Sequence, residues 1–325
     1  MKALLCKQFG GLEQLQVEDI ATPEPGPKQV RVDVKAAALN FPDALMVQGL
    51  YQIKPPLPFS PGSEFAGIVS AVGSEVSQFK VGDRVISFSL GGFAEEAVAD
   101  AARTMPLPPG MDFDVGAGLV LTYCTSLRGL KDCGRLQAGE SLLVLGASGG
   151  VGVAAVEIGK ATGARVIAAA SSEDKLALCR ELGADAGINY ATENLKDRVN
   201  ELTGGRGVDV VYDPVGGPYT EQALRATAWG GRLLVIGFAA GDIPKIPINL
   251  CLLKERSLVG VYWGDSLKHD APGHQRNVAQ LLDWFASGKI KPYISERVPL
   301  AETPALMARM TARQVKGKAI VLPEA

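Results

Sequence analysis

Leu142-Leu143-Val144-Leu145-Gly146-Ala147-Ser148-Gly149-Gly150-Val151-Gly152 decides the fold of this 325-residue chain. Four apolar residues form a short buried strand. Glycines follow, and then Val151, Ala154, Ala155 and Ile158 recur at the spacing of one helix face. A glycine turn lets the backbone approach a pyrophosphate closely. The helix start beyond it offers unpaired N–H groups and the positive end of a dipole. The stretch therefore reads as strand, phosphate-binding turn and helix, with an ordinary tight turn as the plainer alternative.

The pattern continues downstream. A strand over 165–169 precedes a helix over 175–182, with Leu176, Cys179 and Leu182 on one face. A strand over 208–212, a helix near 220–228 and a strand over 233–237 follow. Alternating strands and helices argue for a doubly wound parallel sheet with helices on both faces. Upstream, the rhythm differs. Eleven of the twenty prolines lie before residue 110, so that part is expected to hold turns and short strands. Val30, Val32 and Val34 alternate with Arg31, Asp33 and Lys35, as in a half-buried strand, and Ile68-Val69 and Arg84-Val85-Ile86 resemble it. After about 262 come one amphipathic helix over 278–285 and two strand-like ends, 294–298 and 319–322, expected to return to the first domain. The domains are thus expected at 1–120 with 263–325, and at 121–262.

Composition removes several classes of function. Lys+Arg is 33 against 35 Asp+Glu, a net charge of -2, so no basic excess exists to hold a nucleic acid. Five scattered cysteines without a CxxC pair suit a reducing compartment better than a disulfide framework. Only His269 and His274 supply imidazole, so no zinc site of neighbouring His and Cys can be drawn. A Ser-His-Asp hydrolase would have to use one of these two histidines. The N-terminus has too short an apolar core for a signal peptide, and no stretch reaches the ~20 apolar residues of a membrane span. A cytoplasmic location is expected.

The second strand ends Ala168-Ala169-Ala170-Ser171-Ser172, with no carboxylate where NAD-binding folds place one on the ribose. Ser171 and Lys175 suit a 2′-phosphate, which favours NADPH over NADH. Lys175 also fits a plain surface lysine, and Glu173 and Asp174 are expected to point outward.

Further markers are Asn40-Phe41-Pro42-Asp43, Gly49-Leu50-Tyr51, Pro61-Gly62-Ser63-Glu64-Phe65-Ala66-Gly67, Val81-Gly82-Asp83-Arg84-Val85, Gly92-Phe93-Ala94-Glu95, Gly204-Gly205-Arg206-Gly207-Val208-Asp209 and Gly317-Lys318. In this order the chain resembles the medium-chain dehydrogenase/reductase superfamily, in its zinc-independent quinone oxidoreductase (zeta-crystallin-like) branch. Glu157, where that branch usually has Gln, is a departure. Metal-dependent members carry a zinc-ligating His in the segment that reads Gly62-Ser63-Glu64 here, and a Cys at what is here Asn40. Their four-cysteine lobe is missing. The resemblance implies a GroES-like β-barrel-type domain and a Rossmann domain, with NADPH and substrate in a cleft. It also implies a homodimer pairing strands near 257–262. It carries cofactor-binding roles onto Asn40, Asp43, Thr122, Gly149, Gly150, Val151, Ser171, Lys175, Tyr190, Phe238, Tyr262 and Lys318. Thr122, Tyr190, Phe238 and Tyr262 fit plain packing equally well.

Without a metal to polarise it, an isolated carbonyl is a poor hydride acceptor. Quinones and C=C bonds conjugated to a carbonyl are already electrophilic and need only positioning and an oxyanion donor. Asn40 and Tyr51 are the catalytic candidates for that donor, though Tyr51 also fits packing between prolines. The expectation is an NADPH-dependent quinone reductase acting on a small molecule. Its alternatives are a reductase of enones, enals or enoyl thioesters and an NADPH-binding structural protein.

Overall fold

A computed structural model of the chain describes residues 1–324. Strands β1 (Lys2–Leu5), β2 (Gln16–Asp19), β3 (Gln29–Ala38), β4 (Glu64–Val72), β5 (Arg84–Phe88), β6 (Glu96–Asp100) and β7 (Thr104–Pro106) come first. Next come β8 (Ser141–Leu145), β9 (Arg165–Ala170), β10 (Ala186–Asn189), β11 (Val208–Asp213), β12 (Thr227–Val235) and β13 (Ser257–Gly260). The chain ends with β14 (Ile294–Pro299) and β15 (Lys318–Leu322).

The chain divides into two compact units, Met1–Leu121 with the chain from Pro292 onward, and Thr122–Lys291. The sequence reading put the second break at 262/263. The difference arises because the helices Trp263–His269 and Ala271–Ala286 are tied to the second unit. Lys131 Nζ donates to Asn277 at 3.1 Å and to Gln280 at 2.6 Å, Asn277 donates to Asp132 at 2.7 Å, and Lys291 N–H donates to Glu157 at 2.8 Å. The later helix is also longer than the stretch 278–285, because Pro272 sits at its tolerated first turn and Asp270 caps Gly273.

In the first unit the sheet order is β14-β15-β3-β4-β5-β7, with β6 also on β3. Strand β3 alternates half-buried and buried as its Val/charged pattern requires, then becomes buried throughout over Ala36, Ala37 and Ala38. There β15 pairs with it, at Ala37 and Ala38, while β6 pairs with its other end. The two C-terminal strands do return to this sheet, as expected. A seven-residue helix, Phe41–Val47, follows β3 directly. The pattern reading did not anticipate it, since seven residues are too few to display a period.

In the second unit six parallel strands run β10-β9-β8-β11-β12-β13. β8 is buried throughout, as a strand covered on both faces must be. The helix expected near 220–228 is Pro218–Arg225, and β12 begins at Thr227 rather than 233. No helix among the described residues is long and apolar enough to cross a membrane.

Candidate active site

The carboxyl ends of parallel strands lie along one edge of their sheet. Chain order reverses between β8 and β11, which is where an open α/β sheet opens a crevice. Gly149, Gly150 and Val151 follow β8, Ser171 follows β9, Tyr190 follows β10, Phe238 follows β12 and Tyr262 follows β13. Topology thus brings these predicted residues of the second unit to one edge.

At the head of this crevice Gly146 takes φ +56°, and Gly149 N–H closes the turn on its carbonyl at 3.0 Å. The helix Gly150–Thr162 starts there with Gly149 as its N-cap, which has no side chain to cap it. The first-turn N–H groups of Gly150, Val151 and Gly152 are therefore left for a ligand. Gly152 is required for another reason. A Cβ on it would lie 2.3 Å from the Gly146 carbonyl oxygen and 2.8 Å from the Ala147 backbone.

Beyond β9, Lys175 Nζ donates to Ser171 Oγ at 3.1 Å, so the two residues chosen for a 2′-phosphate are neighbours. The nearby acids are engaged elsewhere. Glu173 pairs with Arg180 at 2.6 Å, and Asp174 accepts from Ser172 Oγ. The Tyr190 ring lies tilted at 45° against Tyr219, centroids 4.5 Å apart, and packs on the core of this unit. Phe238 and Tyr262 are exposed, and Thr122 is buried. Sequence reasoning missed Asp213, at the end of β11. Its buried carboxyl accepts N–H bonds from Val215 and Gly216, both 2.9 Å, and the Thr220 hydroxyl at 2.6 Å. It thereby shapes the loop after β11. Burial pushes this carboxyl up from its ordinary value. The run Asp213-Pro214 before Gly216-Gly217 was the available signal, since Asp bonds its own backbone two residues on.

The first unit holds a buried polar network. Asn40 caps the helix Phe41–Val47, and Asp43 reaches back to accept the Asn40 N–H at 2.8 Å, the return half of a capping box. Ser63 Oγ donates to the other oxygen of Asp43 at 2.5 Å. Asn40 Nδ2 donates to Glu64 at 2.9 Å and to the Ala38 carbonyl at 3.3 Å. Lys318 Nζ donates to Asn40 Oδ1 at 2.6 Å, Glu64 Oε1 at 2.8 Å and the Leu39 carbonyl at 3.2 Å. Leu121 N–H donates to the second Glu64 oxygen at 2.7 Å. Burial pushes Asp43 up from 3.8 to about 6, against the hydrogen bonds of Ser63 and Asn40 and the charge of Lys318.

This geometry shows where three of the predicted residues direct their polar atoms. The Asn40 amide spends its hydrogens on Glu64 and Ala38, so it offers none to an oxyanion. Lys318 spends all three ammonium hydrogens inside the network rather than on a ligand. Asp43 is fully buried and organises its neighbours. Each is turned inward because a buried polar or charged group must find partners. Tyr51 lies partly buried against the core of this unit, in the loop after the helix.

The residues do not suit zinc. Asn40 and Ser63 offer neither thiolate nor imidazole. Among the described residues no group of three or more His, Cys, Asp or Glu is placed to hold a metal ion.

Residues 26–109 match the alcohol dehydrogenase GroES-like domain family, and residues 150–287 match the family described as zinc-binding dehydrogenase. The chain is 40% identical over 325 residues to the quinone oxidoreductase-like protein 2 homolog of Nematostella vectensis, covering 98% of this chain and 88% of that protein. It superposes on Escherichia coli quinone oxidoreductase complexed with NADPH at a TM-score of 0.93 and 29% identity, over 99% of this chain and 100% of that one. It superposes on CurK enoyl reductase at 0.89 and 28% identity, over 99% and 98%. With both units matched and a full-length relative at this identity, the chain belongs to the quinone oxidoreductase family of the medium-chain dehydrogenase/reductases.

Proposed function

We propose that the protein is a zinc-independent, NADPH-dependent reductase of quinones. The observation that carries this reading is the Ser171–Lys175 pair beyond a carboxylate-free β9, beside an uncapped helix start. The helix N–H groups of Gly150, Val151 and Gly152 hold the pyrophosphate, and Ser171 and Lys175 hold the 2′-phosphate. The NADPH-bound quinone oxidoreductase of the same fold supports that choice. When bound, the dinucleotide supplies the hydride. The protein's own task is then to orient an electrophilic acceptor and to stabilise negative charge on its oxygen. The second predicted donor is the Tyr51 hydroxyl, in the loop after the helix Phe41–Val47. The buried network of Asn40, Asp43, Glu64 and Lys318 fixes the helix and strand ends that flank the Tyr51 loop.

NADPH oxidation with a panel of quinones and enones tests the reading. Turnover with several quinones, unaffected by EDTA, is expected. Loss on EDTA treatment with recovery on added zinc overturns the metal-free part. The enoyl reductase of the same fold favours activated C=C bonds as a second substrate class, and preference for enones would promote it. Absence of turnover with either class would leave the structural, NADPH-binding role. A homodimer is also proposed, through β13, the outer strand of its sheet, where Leu258 is exposed. A cytoplasmic location is in keeping with five cysteines that are all free.

A further inference from the structure

We propose that Ser63, backed by the Asp43 carboxyl, delivers the proton that completes reduction of the quinone oxygen. This rests on the quinone-reductase reading above and adds a proton source to it.

Four members of the network, Asn40, Asp43, Glu64 and Lys318, are buried. Ser63 alone of these five side chains is half-buried, which makes it the member through which the network can meet an outside group. The network also carries one ammonium against two carboxylates. The ammonium bonds Glu64 directly, and its other two hydrogens go to Asn40 Oδ1 and the Leu39 carbonyl. None remains for Asp43, whose oxygens, among the described residues, meet the Asn40 N–H and the Ser63 hydroxyl. Asp43 is therefore the carboxyl on which a proton is retained. The charged groups acting on it are Glu64 of β4, which raises its affinity for a proton, and Lys318 of β15, which lowers it. Burial outweighs both and places its titration at about 6.

When Asp43 is protonated, the hydrogen bond to Ser63 reverses. Asp43 O–H donates to Ser63 Oγ, and the Ser63 hydrogen is released toward an outside acceptor. A quinone that has accepted a hydride has gained two electrons and one proton and is a hydroquinone monoanion. Its oxygen takes the Ser63 hydrogen as Ser63 Oγ takes the hydrogen of Asp43. One O–H bond forms on the product and one breaks at Asp43. Ser63 ends as it began, and Asp43 is left as a carboxylate. Solvent returns the proton through Ser63 after the product leaves, and no further oxidant or reductant is needed. Ser63 is thus a catalytic residue, and Asp43 a positioning residue that acts through it.

The experiment follows NADPH oxidation with a benzoquinone from pH 5 to 8, in H2O and D2O, for the wild type and Ser63→Ala, Ser63→Thr and Asp43→Asn. NADPH binding, measured by fluorescence, checks that each variant is folded. For the wild type, kcat/KM should fall above about pH 6, with a solvent isotope effect on kcat. Ser63→Ala and Asp43→Asn should lose both signatures. Their kcat at pH 6 should drop about 10- to 100-fold, at or below the low end of general-acid assistance, because water can also protonate a hydroquinone anion. Ser63→Thr keeps the hydroxyl and should keep the profile. Wild-type pH profiles and isotope effects in both Ser63→Ala and Asp43→Asn overturn the relay while leaving the quinone-reductase reading intact. Failure of the wild type to turn over any quinone overturns both.

Discussion

Replacing Asp43 by Asn should stabilise the protein, and the size of the effect follows from its surroundings. The carboxyl is fully buried and titrates at about 6 rather than 3.8. The folded protein therefore binds this proton more tightly than the unfolded chain does. Folding is favoured as pH falls from 6 toward 4, and above 6 the buried charge opposes folding. At 1.36 kcal/mol per pH unit, the gap between 3.8 and about 6 is worth about 3 kcal/mol. Asparagine keeps the shape. Its carbonyl oxygen can accept the Asn40 N–H, its NH2 can donate to Ser63 Oγ, and one negative charge leaves a network that holds two against a single ammonium. Asp43→Asn should therefore be more stable than the wild type by up to about 3 kcal/mol at pH 7 to 8. The advantage should shrink through pH 6 and vanish near pH 4. Urea unfolding of both proteins at each pH measures this, since the difference cancels every other titrating group. An advantage that does not change with pH would refute the reasoning, and so would a loss at pH 8 larger than that at pH 5.

Other expectations test the remaining parts. Lys175→Ala should weaken NADPH binding by about 10- to 150-fold, the equivalent of a charged hydrogen bond of roughly 1.5–3 kcal/mol, and leave NADH nearly unchanged. Equal losses in titrations with both cofactors would assign Lys175 another role. Gly152→Ala drives a methyl against the Gly146 and Ala147 backbone. Calorimetry should show a loss of about 1–3 kcal/mol, and dinucleotide affinity should fall with it. Tyr51→Phe should cost less than about tenfold in kcat with quinones, whose reduced anion is stabilised internally, and more with enones, whose enolate needs the donor. A change in KM alone would mark Tyr51 as a packing residue.

The alternation of strand and helix was legible because long elements repeat their period. β8, β9 and β11 stand where the apolar runs place them, and Ser171 and Lys175, close in sequence, meet across the start of the helix Glu173–Glu181. What stayed hidden depends on partners distant in sequence. Asn40 carries a good donor, but its direction is decided by Glu64, 24 positions on, and by Lys318, 278 positions on. Lys318 reads in one dimension as a ligand-binding cation and in three as a buried counter-charge. The true extent of the second unit was hidden likewise, since Lys131 meets Asn277 and Gln280 only after folding.

The position of β15 orders events during synthesis. The second unit is one continuous stretch, Thr122–Lys291, so it can fold as soon as that stretch has left the ribosome. The first unit cannot do the same. Its sheet waits for β15 to join β3 at Ala37 and Ala38, some 280 residues after that strand was made. Until Lys318 arrives with β15, burying Glu64 leaves a carboxylate without its cation. A nascent chain halted before residue 318 should therefore present a folded second unit and a first unit still open to protease.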